Sequence, residues 1–236
     1  MKITNKILLP GTDRQALIFL KTVEIKNKSV LILSAASNVI AEVFHGEGAK
    51  EIYLITDNED SLIEARLILS GIKEINVRLM DYGNTDFKQE KFDIVYTQGS
   101  TGTSQRNKII KEIKRILKPG GYFCVGEIVT LKEAPPQFVK DTWQNNNLSP
   151  LFNKEFKEFY LSMGFELTIE QDLSGTLKDF YILTKKLLSE SSRNFSDEET
   201  KSLKKMIKMY THEANAYLEL GGDKYIGYVM LIMRKV

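Results

Sequence analysis

The side chains with chemistry to offer in this chain stand one after another at the ends of short apolar runs. Val30-Leu31-Ile32-Leu33 is followed by a turn of very small residues in which Ser34, Ala36 and Asn38 alternate. Such a turn lets a ligand approach the backbone, and the free N–H groups of the helix that follows can hold a nucleotide-like group. No glycine occupies it. Ser and Ala are the smallest replacements and Asn tolerates the left-handed region, so the turn is narrowed rather than blocked. Asp57 lies about 20 residues beyond, the place where an acidic side chain pairs with ribose hydroxyls. Asp81 and Tyr82 close a third run, Thr97 a fourth, and Glu127 lies in a fifth. The competing reading is that βα loops are polar anyway and that these acids cap helices. Glu127, Gln98 and His212 are the weak candidates for moving a proton. His45 reads as a partner for a helix C-terminus and His212 as solvated.

These residues need a scaffold that brings strand ends together, and the apolar pattern supplies one. An opening helix with Leu17, Ile18, Leu20 and Val23 on its apolar face is capped by Thr12 or Asp13. Strands are expected near 29–34, at Ile52–Ile55, Ile75–Met80, Phe92–Tyr96 and Tyr122–Val129. Between them lie helices from Asn38, across Leu62, Ile63, Leu67 and Ile68, and across Ile109, Ile110, Ile113 and Leu117. Unbroken apolar strands alternating with helices predict a mostly parallel sheet covered on both faces, with right-handed crossovers. Residues 131–150, with Pro135-Pro136, Trp143 and the run Asn145–Asn147, read as loop or lid. Asn153 is placed to cap a helix that Gly164 stops. A strand at Phe165–Ile169 and a helix over Leu177–Leu188 follow. Ser196-Asp197-Glu198-Glu199 forms a capping box for a helix carrying Leu203, Met206, Ile207, Tyr210 and Tyr217. Gly221-Gly222 ends it, and Tyr225–Met233 is the last strand. The aromatics Trp143, Phe152, Phe156, Tyr160 and Tyr217 line either a pocket or ordinary core.

Composition excludes several classes. The 236 residues, 42% hydrophobic and 27% charged, suit a globular protein with a sizeable core. A net charge of +2 with dispersed lysines does not make a nucleic-acid surface. No apolar run approaches the roughly 20 residues of a membrane span, and no signal-peptide pattern opens the chain. The one cysteine, Cys124, sits in an apolar run and reads as a buried small hydrophobe. Disulfides are thereby excluded and a reducing cytoplasm is the expected compartment. Two histidines and one cysteine leave too few ligands for the usual zinc site, so no metal is expected.

One segment is more specific. Phe92-Asp93-Ile94-Val95-Tyr96, followed by Ile110-Lys111-Glu112-Ile113-Lys114-Arg115-Ile116-Leu117-Lys118-Pro119-Gly120-Gly121, resembles the signature of the class I S-adenosylmethionine-dependent methyltransferases of the small-molecule type. Pro119 forbids further helix and Gly120-Gly121 permits a tight turn into the fifth strand. The resemblance covers roughly residues 8–170. It implies a Rossmann-like α/β fold with a seven-stranded, mostly parallel sheet, its last strand antiparallel, helices on both faces and a helical cap. In that reading residues 1–236 form one domain, with a core of about 8–130, 165–170 and 225–236 and a cap of about 131–164 and 171–220.

The resemblance also implies S-adenosylmethionine as cofactor. Position by position, Ser34, Ala36 and Asn38 replace the family's glycines, and Ile32 replaces the acid that orders the methionine end. Asp57 falls on the ribose-binding acid, Asp81 with Tyr82 on the adenine site, and Thr97 on a position meeting the methionine portion. The expected activity is methyl transfer to a small organic acceptor by in-line positioning, with no nucleic acid or membrane partner, in a monomer or a homo- or hetero-oligomer. Two rivals stand beside it: a degenerate relative acting as scaffold or regulatory subunit, and a protein that keeps the cofactor for another reaction. A nicotinamide oxidoreductase is disfavoured, since Gly-x-Gly-x-x-Gly is absent.

Overall fold

A computed structural model describes residues 7–34, 37–191 and 201–236. In chain order the elements are α1 (Thr12–Thr22), β1 (Ser29–Leu33), α2 (Asn38–Gly46), β2 (Glu51–Thr56), α3 (Glu59–Leu69), β3 (Ile75–Leu79), β4 (Phe92–Gln98) and α4 (Arg106–Ile116). Then come β5 (Leu117–Thr130), α5 (Gln137–Asn145), β6 (Leu151–Phe152), α6 (Asn153–Ser162), β7 (Phe165–Asp172), α7 (Leu177–Ser191), α8 (Lys201–Leu218) and β8 (Ile226–Lys235). The sheet runs β3-β2-β1-β4-β5-β8-β7, and the two-residue β6 adds to β5. Pairing among β1 to β6 is parallel, whereas β8 is antiparallel to both β5 and β7. This is the Rossmann-like sheet expected, with β6 as an eighth, minimal strand. Among the described residues no helix is long and apolar enough to cross a membrane.

Alternation along β1 explains why the strand is apolar throughout. Val30 and Ile32 point into a core shared with α1 and α2, and Leu31 and Leu33 point into the opposite core with α4 and α6. The order reverses at β1, which has β2 on one side and β4 on the other. Ligands of open parallel sheets lie outside the strand ends at such a reversal.

Several local expectations are corrected. Thr12 and Asp13 do not cap α1: the N-cap is Gly11, at φ +84 and without a side-chain cap bond. A Cβ on Gly11 would lie 2.6 Å from Tyr228 Cε1, so the chain turns there against the last strand. The buried side of α1 includes Gln15 beside Ala16 and Phe19, while Leu17, Ile18 and Leu20 are only partly buried. On α3 the expected inward face is largely outside. Ile63, Leu67 and Ile68 are 58%, 73% and 51% exposed, and Ala65 and Leu69 face the sheet. Strand β4 continues two residues past Tyr96. Residues 131–150 are not all loop, because α5 forms there and β6 follows. Asn153 is the first residue of α6 rather than its cap, since Phe152 leads into the helix directly from its pairing with Thr130. The Ser196–Glu199 capping box lies outside the described residues. Leu117 to Gly121 already belong to β5, with Gly120 at φ +71 and Gly121 pressed against Asp93 O and Lys118 O.

The N-terminal segment is fastened by two buried amides. Gln98 donates from Nε2 to the carbonyls of Pro10 and Thr12 at 2.8 and 2.9 Å and accepts from the Tyr96 hydroxyl at 2.7 Å. Gln15 donates to Thr97 O at 2.9 Å and accepts from the Tyr228 hydroxyl at 2.7 Å. Both amides are fully buried, so their satisfaction is obligatory. Room for this cluster comes from Gly126, where a Cβ would sit 2.0 Å from Gln15 Oε1 and 2.3 Å from the Tyr228 hydroxyl. Gly126→Ala is expected to cost about 1–3 kcal/mol by overpacking, read as a lower urea midpoint at unchanged m-value.

One carboxylate with a depressed pKa links stability to pH. Glu112 of α4 accepts from Thr85 N at 3.0 Å and from Arg115 at 2.6 and 2.8 Å. Burial pushes its pKa up, but Arg115 and Thr85 outweigh it and the net shift is downward. A depressed folded-state pKa contributes stability above the ordinary carboxylate range, and that contribution disappears as pH falls through the folded value. Unfolding free energy is therefore expected to decline more steeply below about pH 4.5 in the native protein than in Glu112→Gln, as measured by urea titrations across pH.

Candidate functional site

A cleft of about 470 Å³ opens at the ends of β2, β3 and β4, within the range of small-molecule pockets. Asp57 contributes from the end of β2, Met80, Asp81 and Tyr82 from the end of β3, and Ser100, Thr103 and Gln105 from the loop after β4. Asn147, beyond α5, closes it from the cap.

Asp57 does not cap α3. Asn58 does so, accepting from Ser61 N at 2.9 Å, and its side-chain amide also donates to Asp57 Oδ1 at 3.1 Å. Asp57 itself stays exposed on the cleft. Asp81 is half-exposed. Its Oδ2 lies 2.6 Å from Lys108 Nζ and its Oδ1 accepts from Gly83 N at 2.8 Å. Lys108 and then the Gly83 bond hold its carboxyl below the usual range. Tyr82 is buried, and burial followed by the charge of Asp57 pushes its phenol well up, so it remains a neutral hydroxyl.

The other expected residues divide. Ala36 lies outside the described residues. Ser34 is buried, with Oγ 3.5 Å from Gln98 O. At the head of α2, Ser37 Oγ and Asn38 Oδ1 are buried and without a hydrogen-bond partner. Buried polar atoms are paired in the great majority of cases, so two orphans at one helix start are unusual. Ile32 is fully buried in apolar core and puts no acidic group at the end of β1. Thr97 does not reach the cleft. It lies inside β4, paired with Leu33 and Val125, fully buried, with Oγ1 donating to Cys124 O at 3.4 Å. Strand β4 is longer than expected, and the loop that meets the cleft starts later, at Ser100 and Thr103.

The proton-transfer candidates are mostly committed elsewhere. Gln98 fastens the N-terminal segment as described. Glu127 is fully buried, and both its oxygens are engaged. Oε1 accepts from Thr101 Oγ1 at 2.7 Å and from the Tyr160 hydroxyl. Oε2 meets Arg106 Nη2 at 2.8 Å and Nε at 3.0 Å. His212 is exposed on α8, and His45 Nε2 lies 3.3 Å from Glu74. Cys124 is fully buried, and burial raises its thiol pKa, as suits an inert core residue. Phe156 and Tyr160 are core residues, Tyr217 is buried, and Trp143 and Phe152 are partly buried.

Arg106 is the residue that sequence reasoning missed. Burial would lower its pKa, but the opposing charge of Glu127 outweighs this and keeps the guanidinium charged. Its Nη2 also donates to Ser149 O at 2.7 Å, while Ser149 N donates to Gly102 O at 2.8 Å. The pair thereby ties the loop after β4 to the cap segment bearing Asn147. The signal available for Arg106 was a basic residue opening the apolar face of α4. Glu127→Ala is expected to cost about 3–5 kcal/mol, because it strands a buried cation. Replacing both partners by apolar residues (Arg106→Met with Glu127→Leu) should recover most of that loss in chemical denaturation.

A model for the methyltransferase domain matches residues 29–207, more than half of the chain. Among solved structures, the 4+2 cyclase SpnF superimposes with a TM-score of 0.77 at 21% identity, covering 94% of this chain and 80% of that one. A putative sarcosine dimethylglycine methyltransferase from Galdieria sulphuraria gives 0.77 at 14%, covering 94% and 84%. Haemonchus contortus phosphoethanolamine N-methyltransferase 2, in complex with S-adenosyl-L-methionine, gives 0.78 at 13%, covering 94% of this chain but 52% of that one. No curated protein matches the sequence. At these identities the structures speak for the fold alone, and the family model speaks for membership: the chain belongs to the methyltransferase-domain family.

Proposed function

We propose that the protein transfers the methyl group of S-adenosylmethionine to a small organic acceptor. The observation that carries this reading is a single cleft with Asp57 and Asp81 at the ends of adjacent strands. The unpartnered polar atoms of Ser37 and Asn38 follow the neighbouring β1 and add to it. A nucleoside fits these residues. Asp57 can accept two ribose hydroxyls, and Asp81 with Tyr82 can meet an adenine edge, provided Lys108 shares or releases the Asp81 carboxylate. The head of α2 offers the remaining polar atoms to the methionine end.

S-adenosylmethionine, when bound, supplies an activated methyl group. The protein's residues then supply position. Holding the acceptor in line converts a bimolecular step into an effectively unimolecular one, and much of the rate follows from that. With Gln98 and Glu127 engaged in internal bonds, positioning rather than a side-chain base is the favoured mechanism. The retained acids favour an enzyme over a silent scaffold. One buried cysteine and the absence of a membrane-crossing helix among the described residues suit a reducing cytoplasm.

Calorimetric titration with S-adenosylmethionine and S-adenosylhomocysteine tests the reading. Saturable heat is expected, and none at millimolar ligand would overturn it. Asp57→Ala should weaken binding by about tenfold or more, the equivalent of a lost charged acceptor. An unchanged affinity would put the ribose elsewhere.

A further inference from the structure

The cap contains a polar centre apart from the residues that line the cleft. Glu213 of α8 is partly buried and accepts from the Tyr181 hydroxyl of α7 at 2.8 Å and from Asn146 Nδ2, just past α5, at 2.9 Å. Burial raises its pKa, the bonds from Tyr181 and Asn146 oppose this only in part, and no cation among the described residues contributes. A desolvated carboxylate without a cation is costly for a fold to keep. Aromatic rings stand beside it. Tyr181 and Tyr217 have centroids 4.5 Å apart, and Phe180 lies 4.9 Å from Tyr181. Tyr210 is one turn before Glu213, and burial and then the Glu213 charge push its phenol up.

Two further polar atoms there are buried and unpartnered, Trp143 Nε1 and Thr184 Oγ1. Trp143 precedes Asn146 by three residues and Thr184 follows Tyr181 by three, so each neighbours one of the two donors to Glu213 on its own helix surface. An orphaned indole N–H lacks an acceptor, as Glu213 lacks a cation among the described residues. Asn147, next to Asn146 and at φ +53, lines the cleft, so the centre adjoins the cleft wall.

We propose that the Glu213 centre binds a small ammonium compound carrying an oxygen. Its cationic nitrogen pairs with Glu213 against the tyrosine rings, where desolvated cation–π contact adds to the ion pair. Its oxygen takes the N–H of Trp143. Its binding does not rest on the methyl-transfer reading.

The test is calorimetric titration of the full chain with ethanolamine and glycinamide, and with their cation-free counterparts ethylene glycol and acetamide. At least one amine is expected to bind saturably while its counterpart does not. Glu213→Gln should weaken the amine tenfold or more and leave S-adenosylhomocysteine affinity unchanged. Trp143→Phe, which keeps a ring and removes the N–H, should weaken the amine several-fold. Absence of saturable amine binding, equal binding of a cation-free counterpart, or equal affinity in Glu213→Gln would overturn the proposal. Should thermal unfolding show Glu213→Gln to be unfolded, the counterpart comparison and Trp143→Phe decide. Amine binding that depends on Glu213, in a protein giving no heat with S-adenosylmethionine, would keep the centre and sink the methyl-transfer reading instead.

Discussion

The buried pair of Arg106 and Glu127 is the constraint on which the cleft depends. Glu127 lies in the middle of β5 with no solvent to support its charge, so every lone pair must find a donor within the protein. It finds them in Arg106, Thr101 and Tyr160, which belong to the start of α4, the loop after β4 and α6. Meeting the needs of one carboxylate thus fixes three separate segments at once. Arg106 passes the constraint on to Ser149 and so to the cap. A hydrophobic core of the same volume would be as stable but would not specify these positions.

A second set of bonds works from the other side of the sheet. Gln15 and Gln98 bind main-chain carbonyls, which no neighbouring side chain could do from a distance, and they hold the opening turn and α1 across the ends of β4 and β5. Gly126 is what makes room for Gln15 and Tyr228. The edge at the ends of β4 and β5 is therefore framed by polar groups that are themselves satisfied. Against that background the unpartnered atoms of Ser37, Asn38, Trp143 and Thr184 stand out, because a fold that satisfies Gln15 and Gln98 so fully does not leave polar atoms unpaired by default.

Shared architecture leaves the chemistry open. The same fold is found in a 4+2 cyclase and in N-methyltransferases, so activity resides in the grafted site and not in the sheet. This chain has its own local features. It has no acidic residue at the end of β1, it keeps acids at the ends of β2 and β3, and it carries an aromatic cap with a carboxylate inside.

Composition and periodicity by themselves determined the sheet. Strands such as Val30–Leu33 are apolar at every position because both faces are covered, and that pattern can be read without coordinates. The Lys118-Pro119-Gly120-Gly121 break is equally local, since Pro ends a helix and Gly permits the positive φ observed at Gly120. That Asp57 and Asp81 stand at the ends of adjacent strands was legible because strand ends are countable. Only the tertiary structure decided which polar residues line the cleft and which face each other. Thr97 and Glu127 lie at strand positions that sequence treats as site-facing, yet each turns to partners far away in the chain, Cys124 in one case and Arg106 and Tyr160 in the other. The outward apolar face of α3, the helix in residues 137–145 and the polar centre at Glu213 were hidden for the same reason. Periodicity reports that a residue has a side, and only packing between distant elements says what lies on it.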